Sequence, residues 1–242
     1  MRFSCVRLPV AAALVALVAG DAGAQPAEKR RVATISGKRL AGGLVTGLAW
    51  DGGTLIIQTA AVESGEPKAH YFAVAAPGVE LRSLDTVPAS VESYWKRKAA
   101  RRSPTGLGAI TLVSGSKLPM YGIASQEKRL ADAWDMGGSQ NQHEVRLGGL
   151  VLHRRSGAEP YDGEVWSWSP PELNRVAYVD DKGDIWVAGA DGRSPELLLK
   201  GSFTLPAWSD DGRVLAVAEK KGDGGAWEIS VVYLPERFRR PL

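Results

Sequence analysis

The chain has almost no cysteine, one residue in 242, and that one is Cys5. It has no long apolar run after its first two dozen residues. It also lacks the linear motifs of common enzymes: there is no Gly-x-Ser-x-Gly elbow, Walker loop, His-Glu-x-x-His or dinucleotide fingerprint. Each absence excludes something. One cysteine cannot form a disulfide within the chain, so a small stapled scaffold is excluded and a core must stabilise the protein unaided. Without a second apolar run, no later segment reads as a spanning helix. Charge of one sign is scarce too: 30 Lys and Arg stand against 27 Asp and Glu. That balance is poor for a nucleic-acid binder, despite a pI near 9.0.

Metal ligands are equally thin. His143-Glu144 and His153 lie ten positions apart, with no third ligand at a useful spacing. Asp180, Asp181 and Asp184 cluster where a turn is expected, and carboxylates there accept backbone N–H groups; a calcium site is the other reading. No cofactor is expected. Paired carboxylates for glycosidic chemistry cannot be assigned from sequence, because their separation is three-dimensional.

What is present begins with the N-terminus. Arg2 and Arg7 precede an apolar stretch from Leu8 to Gly20, and Ala22-Gly23-Ala24 offers a small-x-small cleavage site before Gln25. This is the layout of a secretory signal peptide over residues 1–24, too short in its apolar part to span a bilayer. Cleavage would remove Cys5, leaving no thiol. It would also remove Arg2, Arg7 and Asp21, taking the formal charge from +3 to +2. The expected product is soluble and periplasmic, or secreted.

Residues 25–242 read as one all-β domain. Glycine (28) and proline (14) are plentiful and there are eight tryptophans, a mixture that suits many turns between aromatic-rich strands. Internal repetition is the strongest signal. Trp166-Ser167-Trp168-Ser169-Pro170 is followed by Arg175–Val179, a turn at Asp180-Asp181-Lys182-Gly183, then Ile185-Trp186-Val187 and Ala190-Asp191-Gly192. Forty positions after Trp168, Trp208-Ser209-Asp210-Asp211-Gly212 begins a second copy, with strands at Val214–Ala218 and Trp227–Tyr233. Trp50-Asp51-Gly52-Gly53 and Thr54–Ile57 keep the same order near the start. The best copies are residues 164–203 and 204–234.

A repeat of about 40 residues holding four strands marks β-propeller blades, which stack around an axis to bury each other's faces. About five four-stranded blades are expected, centred near Trp50, residue 90, residue 130, Trp168 and Trp208. Six blades, or an incomplete ring, are the alternatives. Arg31-Val32-Ala33-Thr34-Ile35 is a spare β run able to complete the last blade and lock the ring. Trp166, Trp168, Trp186 and Trp208 are read as core packing between blades.

These residues resemble the TolB-type propeller repeat. The resemblance rests on Trp168-Ser169-Pro170, Val176-Ala177-Tyr178, Gly183-Asp184-Ile185-Trp186 and Ala190-Asp191-Gly192, and on Trp208–Gly212 in the second copy. Pro171-Glu172-Leu173-Asn174 stands where the family has an Asp-Gly turn. The resemblance implies a periplasmic propeller that binds other proteins.

The middle of the chain departs from the pattern. Ser90 to Arg102 lacks strand alternation, offers a cap at Ser90 and stops at Ser103-Pro104, which predicts a short helix inserted between blades. It concentrates Lys96, Arg97, Lys98, Arg101 and Arg102 beside Tyr94 and Trp95. These seven residues are the expected partner-binding set, suited to an acidic partner, lipid headgroup or glycan. A solvated insertion is the other reading. Two functions follow: a non-catalytic exported propeller binding a protein partner in the cell envelope, with no nucleic acid, no membrane span and at most peripheral contact with an anionic surface; or a small propeller hydrolase or lyase acting on glycans or peptides.

Overall fold

A computed structural model describes residues 26–36, 40, 43–64, 66–75, 81–116, 141–157, 160–222 and 225–241. The expected signal peptide at 1–24, and with it Cys5, lies outside the described residues. No helix among them is long and apolar enough to cross a membrane.

The described residues form four antiparallel sheets arranged as a four-bladed propeller. Blade 1 holds β2 (Leu44–Asp51), β3 (Thr54–Glu63), β4 (Glu66–Ala75) and β5 (Arg82–Leu84). Blade 2 holds β6 (Ile110–Ser116), β7 (Asn141–Leu147) and β8 (Leu150–Ser156). Blade 3 holds β9 (Trp166–Trp168), β10 (Arg175–Val179), β11 (Ile185–Gly189) and β12 (Glu196–Leu199). Blade 4 holds β13 (Phe203–Trp208), β14 (Val214–Lys221), β15 (Ala226–Tyr233) and, as its outer strand, the N-terminal β1 (Glu28–Ile35).

The expected count of five blades is therefore corrected to four. Around residue 90 the chain forms α1 (Ala89–Lys98) in place of a blade, because that segment has no period-2 alternation with which to cover a neighbouring sheet. Residue 130, the other expected centre, lies outside the described residues. The spare run before residue 36 does complete the last blade: β1 pairs antiparallel with β15 from Glu28↔Tyr233 to Ile35↔Trp227. One sheet thus holds both ends of the domain.

Three apolar clusters sit at junctions between blades. One joins blades 4 and 1, and α1 contributes Val91 and Tyr94 to it. A second joins blades 3 and 4, and a third joins blades 2 and 3. Strand alternation sorts residues between them. In β14, Ala216 and Ala218 face the first cluster while Leu215 and Val217 face the second. In β10, Ala177 and Val179 face the second while Val176 and Tyr178 face the third. A central strand buried on both faces reads as a continuous apolar run, as both of these do. Trp166, Trp168 and Trp208 are buried as expected, but Trp186 is only half-buried, its Nε1 donating to Asp180 Oδ2 at 2.9 Å.

The repeated Trp-Ser step has one local role in both copies. Ser169 Oγ accepts the N–H of Arg175 at 2.9 Å, and Ser209 Oγ accepts that of Val214 at 3.1 Å, so each serine staples the turn after the inner strand. The turns differ in composition and meet the same backbone demand. Gly212 (φ +67°) takes the left-handed position in one and Asn174 (φ +53°) in the other. A Cβ on Gly212 would also fall 2.4 Å from Leu173 Cδ1.

Blades 4 and 1 are further joined by Trp50, whose Nε1 donates to the Ala207 carbonyl at 3.0 Å within the buried junction. Trp50→Phe keeps an aromatic ring but removes this donor and the second ring of the indole. The variant is expected to lose about 1–3 kcal/mol of unfolding free energy, read as a lower urea midpoint with an unchanged slope.

Candidate functional site

The strands β2, β9 and β13 meet at the centre of the propeller, and α1 lies against all three of them or the turns that follow. No side chain caps its N-terminus: Pro88 is the N-cap, and Ser90, the expected cap, instead donates through Oγ to Asp51 Oδ1 at 2.8 Å. Spacing decides which face turns inward. Val91, Tyr94 and Lys98 fall at i, i+3 and i+7 and are the buried residues of the helix.

The expected partner-binding set therefore divides. Tyr94 is buried, and its hydroxyl donates to the Trp208 carbonyl. Burial and the nearby Asp210 push that hydroxyl well above its ordinary pKa, so it stays protonated. Trp95 is half-buried and donates from Nε1 to the Leu48 carbonyl at 3.2 Å. Lys98 is 5% exposed. Tyr94 and Lys98 of the expected set are thus interior groups, because the inward stripe of a helix on a sheet is set by position and not by polarity. Arg97 is exposed, bonded to Asp210 Oδ1 at 2.6 Å and placed over the Tyr94 ring. Arg101 is exposed and meets Asp162 Oδ1 at 3.0 Å. Lys96 and Arg102 are exposed, and the helix ends before Arg102, whose backbone bridges to Ala109. Beyond it, Leu107 is 63% exposed.

The histidines His143 and His153 and the aspartates Asp180 and Asp184 singled out in the sequence are held locally. His143 sits between Ser114 Oγ, 2.9 Å from Nδ1, and the Gly157 carbonyl, 2.9 Å from Nε2. His153 Nδ1 lies 3.0 Å from the Val179 carbonyl. The aspartate cluster is a turn: Asp180 Oδ1 accepts the N–H groups of Lys182 and Asp184, and Asp184 Oδ1 accepts that of Gly201, all at 2.9 Å. Among the described residues no group of three His, Cys, Asp or Glu is placed to hold a metal ion.

Sequence reasoning missed the cavity beside the helix. A hollow of about 240 Å3 is walled by Thr46, Gly47, Gln58, Trp95, Lys98 and Tyr161, among others. On the other side of α1, Lys98 also walls a hollow of about 280 Å3 with Tyr94, Trp168 and Trp208. The only sequence signal was a lysine at a helical position that the inward stripe claims. Compared with known proteins, the chain matches no protein-family model and no curated protein.

Among the described residues no carboxylate or hydrogen-bond acceptor pairs with Lys98. Burial alone pushes its ammonium down to about 7. The unfolded chain binds a proton there up to the ordinary lysine range, so between pH 7 and about 10 it holds more protons than the folded chain. Stability then rises with pH across that window, by up to about 1.4 kcal/mol per unit, and the penalty is present in full below pH 7. Urea midpoints at pH 6, 7, 8 and 9 are expected to climb for the wild type. Lys98→Met, which removes the buried charge, is expected to be more stable at pH 6 and to lose most of that slope.

Proposed function

We propose that this chain is an exported, non-catalytic β-propeller that serves as a protein-interaction module in the cell envelope. Its docking surface is the outward side of α1 and the loop after it. The observation that carries this reading is the exposed set Lys96, Arg97, Arg101 and Arg102 followed by the exposed Leu107. Cations beside an exposed apolar side chain suit an acidic partner with an apolar anchor, the charges steering the encounter and the apolar contact holding it. Arg97 and Arg101 already pair with Asp210 and Asp162, so Lys96 and Arg102 are the better probes. Trp95 lies at the edge of this surface. Export rests on the N-terminal segment, and the TolB-type resemblance of the repeats favours protein binding over turnover.

The test is crosslinked capture from an envelope extract, comparing wild type with Lys96→Glu/Arg102→Glu. Both positions face away from the buried stripe, so the double variant is expected to melt within a degree or two of wild type. It should lose at least tenfold of a specific partner captured at low salt, and the wild-type signal should weaken with added salt. An unchanged partner list would reject this surface. Turnover of a glycan or peptide by the purified protein would favour the hydrolase reading.

A further inference from the structure

We infer that Lys98 is a reactive amine that captures small aldehydes by forming an imine at its Nζ, the aldehyde entering one of the two hollows that flank the end of α1. The capture is reversible covalent binding without turnover. It is separate from the docking surface and does not rest on it.

Lys98 is 5% exposed, yet its ammonium makes no ion pair or hydrogen bond among the described residues. Trp208 Nε1 and Arg175 Nε are unpartnered and sealed from open space, whereas Lys98 Nζ, equally unpartnered, does reach open space. Lys98 lines a hollow on each side of the helix: one of about 240 Å3 with Trp95 and Tyr161, and one of about 280 Å3 with Tyr94 and Trp168. The amine therefore meets a cavity whichever way the side chain turns. Each hollow has exposed residues at its margin, Tyr161 and Asp162 on the first, Arg97 and Glu172 on the second, so each opens to solution. At the roughly 30 Å3 that a water takes in the liquid, either holds about eight or nine water-sized groups. That admits a single substituted ring or a short chain.

A lysine in this setting is costly as a cation and competent as a nucleophile, since desolvation frees the lone pair on its nitrogen. Burial pushes the Lys98 ammonium down to about 7, so a large share of the side chain is a neutral amine at neutral pH. The other titratable groups around it are Tyr94 and Arg97 on its own helix, Tyr161 and Asp162 before β9, Glu172 after β9 and Asp210 after β13. Asp210 and Asp162 are already engaged by Arg97 and Arg101. The lone pair adds to the carbonyl carbon of the aldehyde, and a C=N bond replaces the C=O bond. Both nitrogen protons leave with the carbonyl oxygen as water, and no oxidant or reductant is needed. The product is a neutral imine, so capture removes the charge that the fold leaves without an ion-pair partner and relieves the cost of burying it. Aromatic walls on both sides favour an aromatic aldehyde.

The probe is benzaldehyde with cyanoborohydride, which reduces the imine to a stable benzylamine, applied to the whole protein and followed by peptide mass mapping. At pH 7 Lys98 is expected to be labelled at least ten times faster than Lys96, an exposed lysine on the same helix. That preference should shrink as the pH is raised to about 10, where Lys96 also carries a free lone pair. In urea strong enough to unfold the chain both amines become ordinary, and the preference should vanish. Lys98 left unlabelled, labelled no faster than Lys96 at pH 7, or equally preferred in urea would overturn the proposal. Because Lys96 is the internal reference, the outcome does not depend on whether a Lys98 variant folds.

Discussion

The pairing of β1 with β15 is the constraint on which the rest of the architecture depends. A ring of sheets has a seam wherever the chain begins and ends, and an open seam presents two unpaired edges and two bare apolar faces. Here the N-terminal strand joins the last blade as its outer member, so blade 4 cannot be complete without both ends of the domain. The finished blade then presents Ala207, Ala216 and Ala218 to blade 1 and Phe203, Leu215 and Val217 to blade 3. The alternating strands of one sheet thus serve two junctions, with Leu205, Trp227, Ile229 and Val231 adding bulk to the face toward blade 1.

Closure fixes where α1 can go. The helix is short and has no side-chain cap, and a ten-residue helix is marginal by itself. It is held by bonds to different parts of the ring: Ser90 to Asp51 and Trp95 to Leu48 in blade 1, Tyr94 to Trp208 in blade 4, and Trp168 of blade 3 to Ala100 just past its end. A helix seated this way acts as a strut among three blades. Its register is then no longer free, and the residue seven places after Val91 must face inward even though it is a lysine.

Much of this was legible in the sequence, and the misses have physical causes. Period-2 runs, glycine and aspartate turns and the recurring Trp-Ser step are local signals, and they located blades 1, 3 and 4, the closing strand and the helix. The blade count failed because a spacing of forty holds between Trp168 and Trp208, whereas the stretch after blade 1 folds as α1, which no repeat arithmetic anticipates. Two residues of the expected set, Tyr94 and Lys98, prove interior for a related reason. Five cations in seven residues read as one patch, yet helical geometry distributes them around a cylinder, so Lys96, Arg97, Arg101 and Arg102 face outward and Lys98 inward. The cavity could not be read at all, since Thr46, Gln58, Trp95 and Tyr161 come from four separate segments.

The two surfaces of α1 therefore differ in the state of their charges. On the outer side, Arg97 and Arg101 are exposed, water-screened and paired with aspartates at 2.6 and 3.0 Å, and exposed pairs of this kind contribute little to stability. On the inner side, Lys98 lies among Tyr94, Trp95, Trp168 and Tyr161 with no ion-pair partner among the described residues, and burial pushes its ammonium down to about 7. A methionine, one atom shorter and uncharged, would fill most of that position without the charge, and a lysine there weakens the strut that joins three blades.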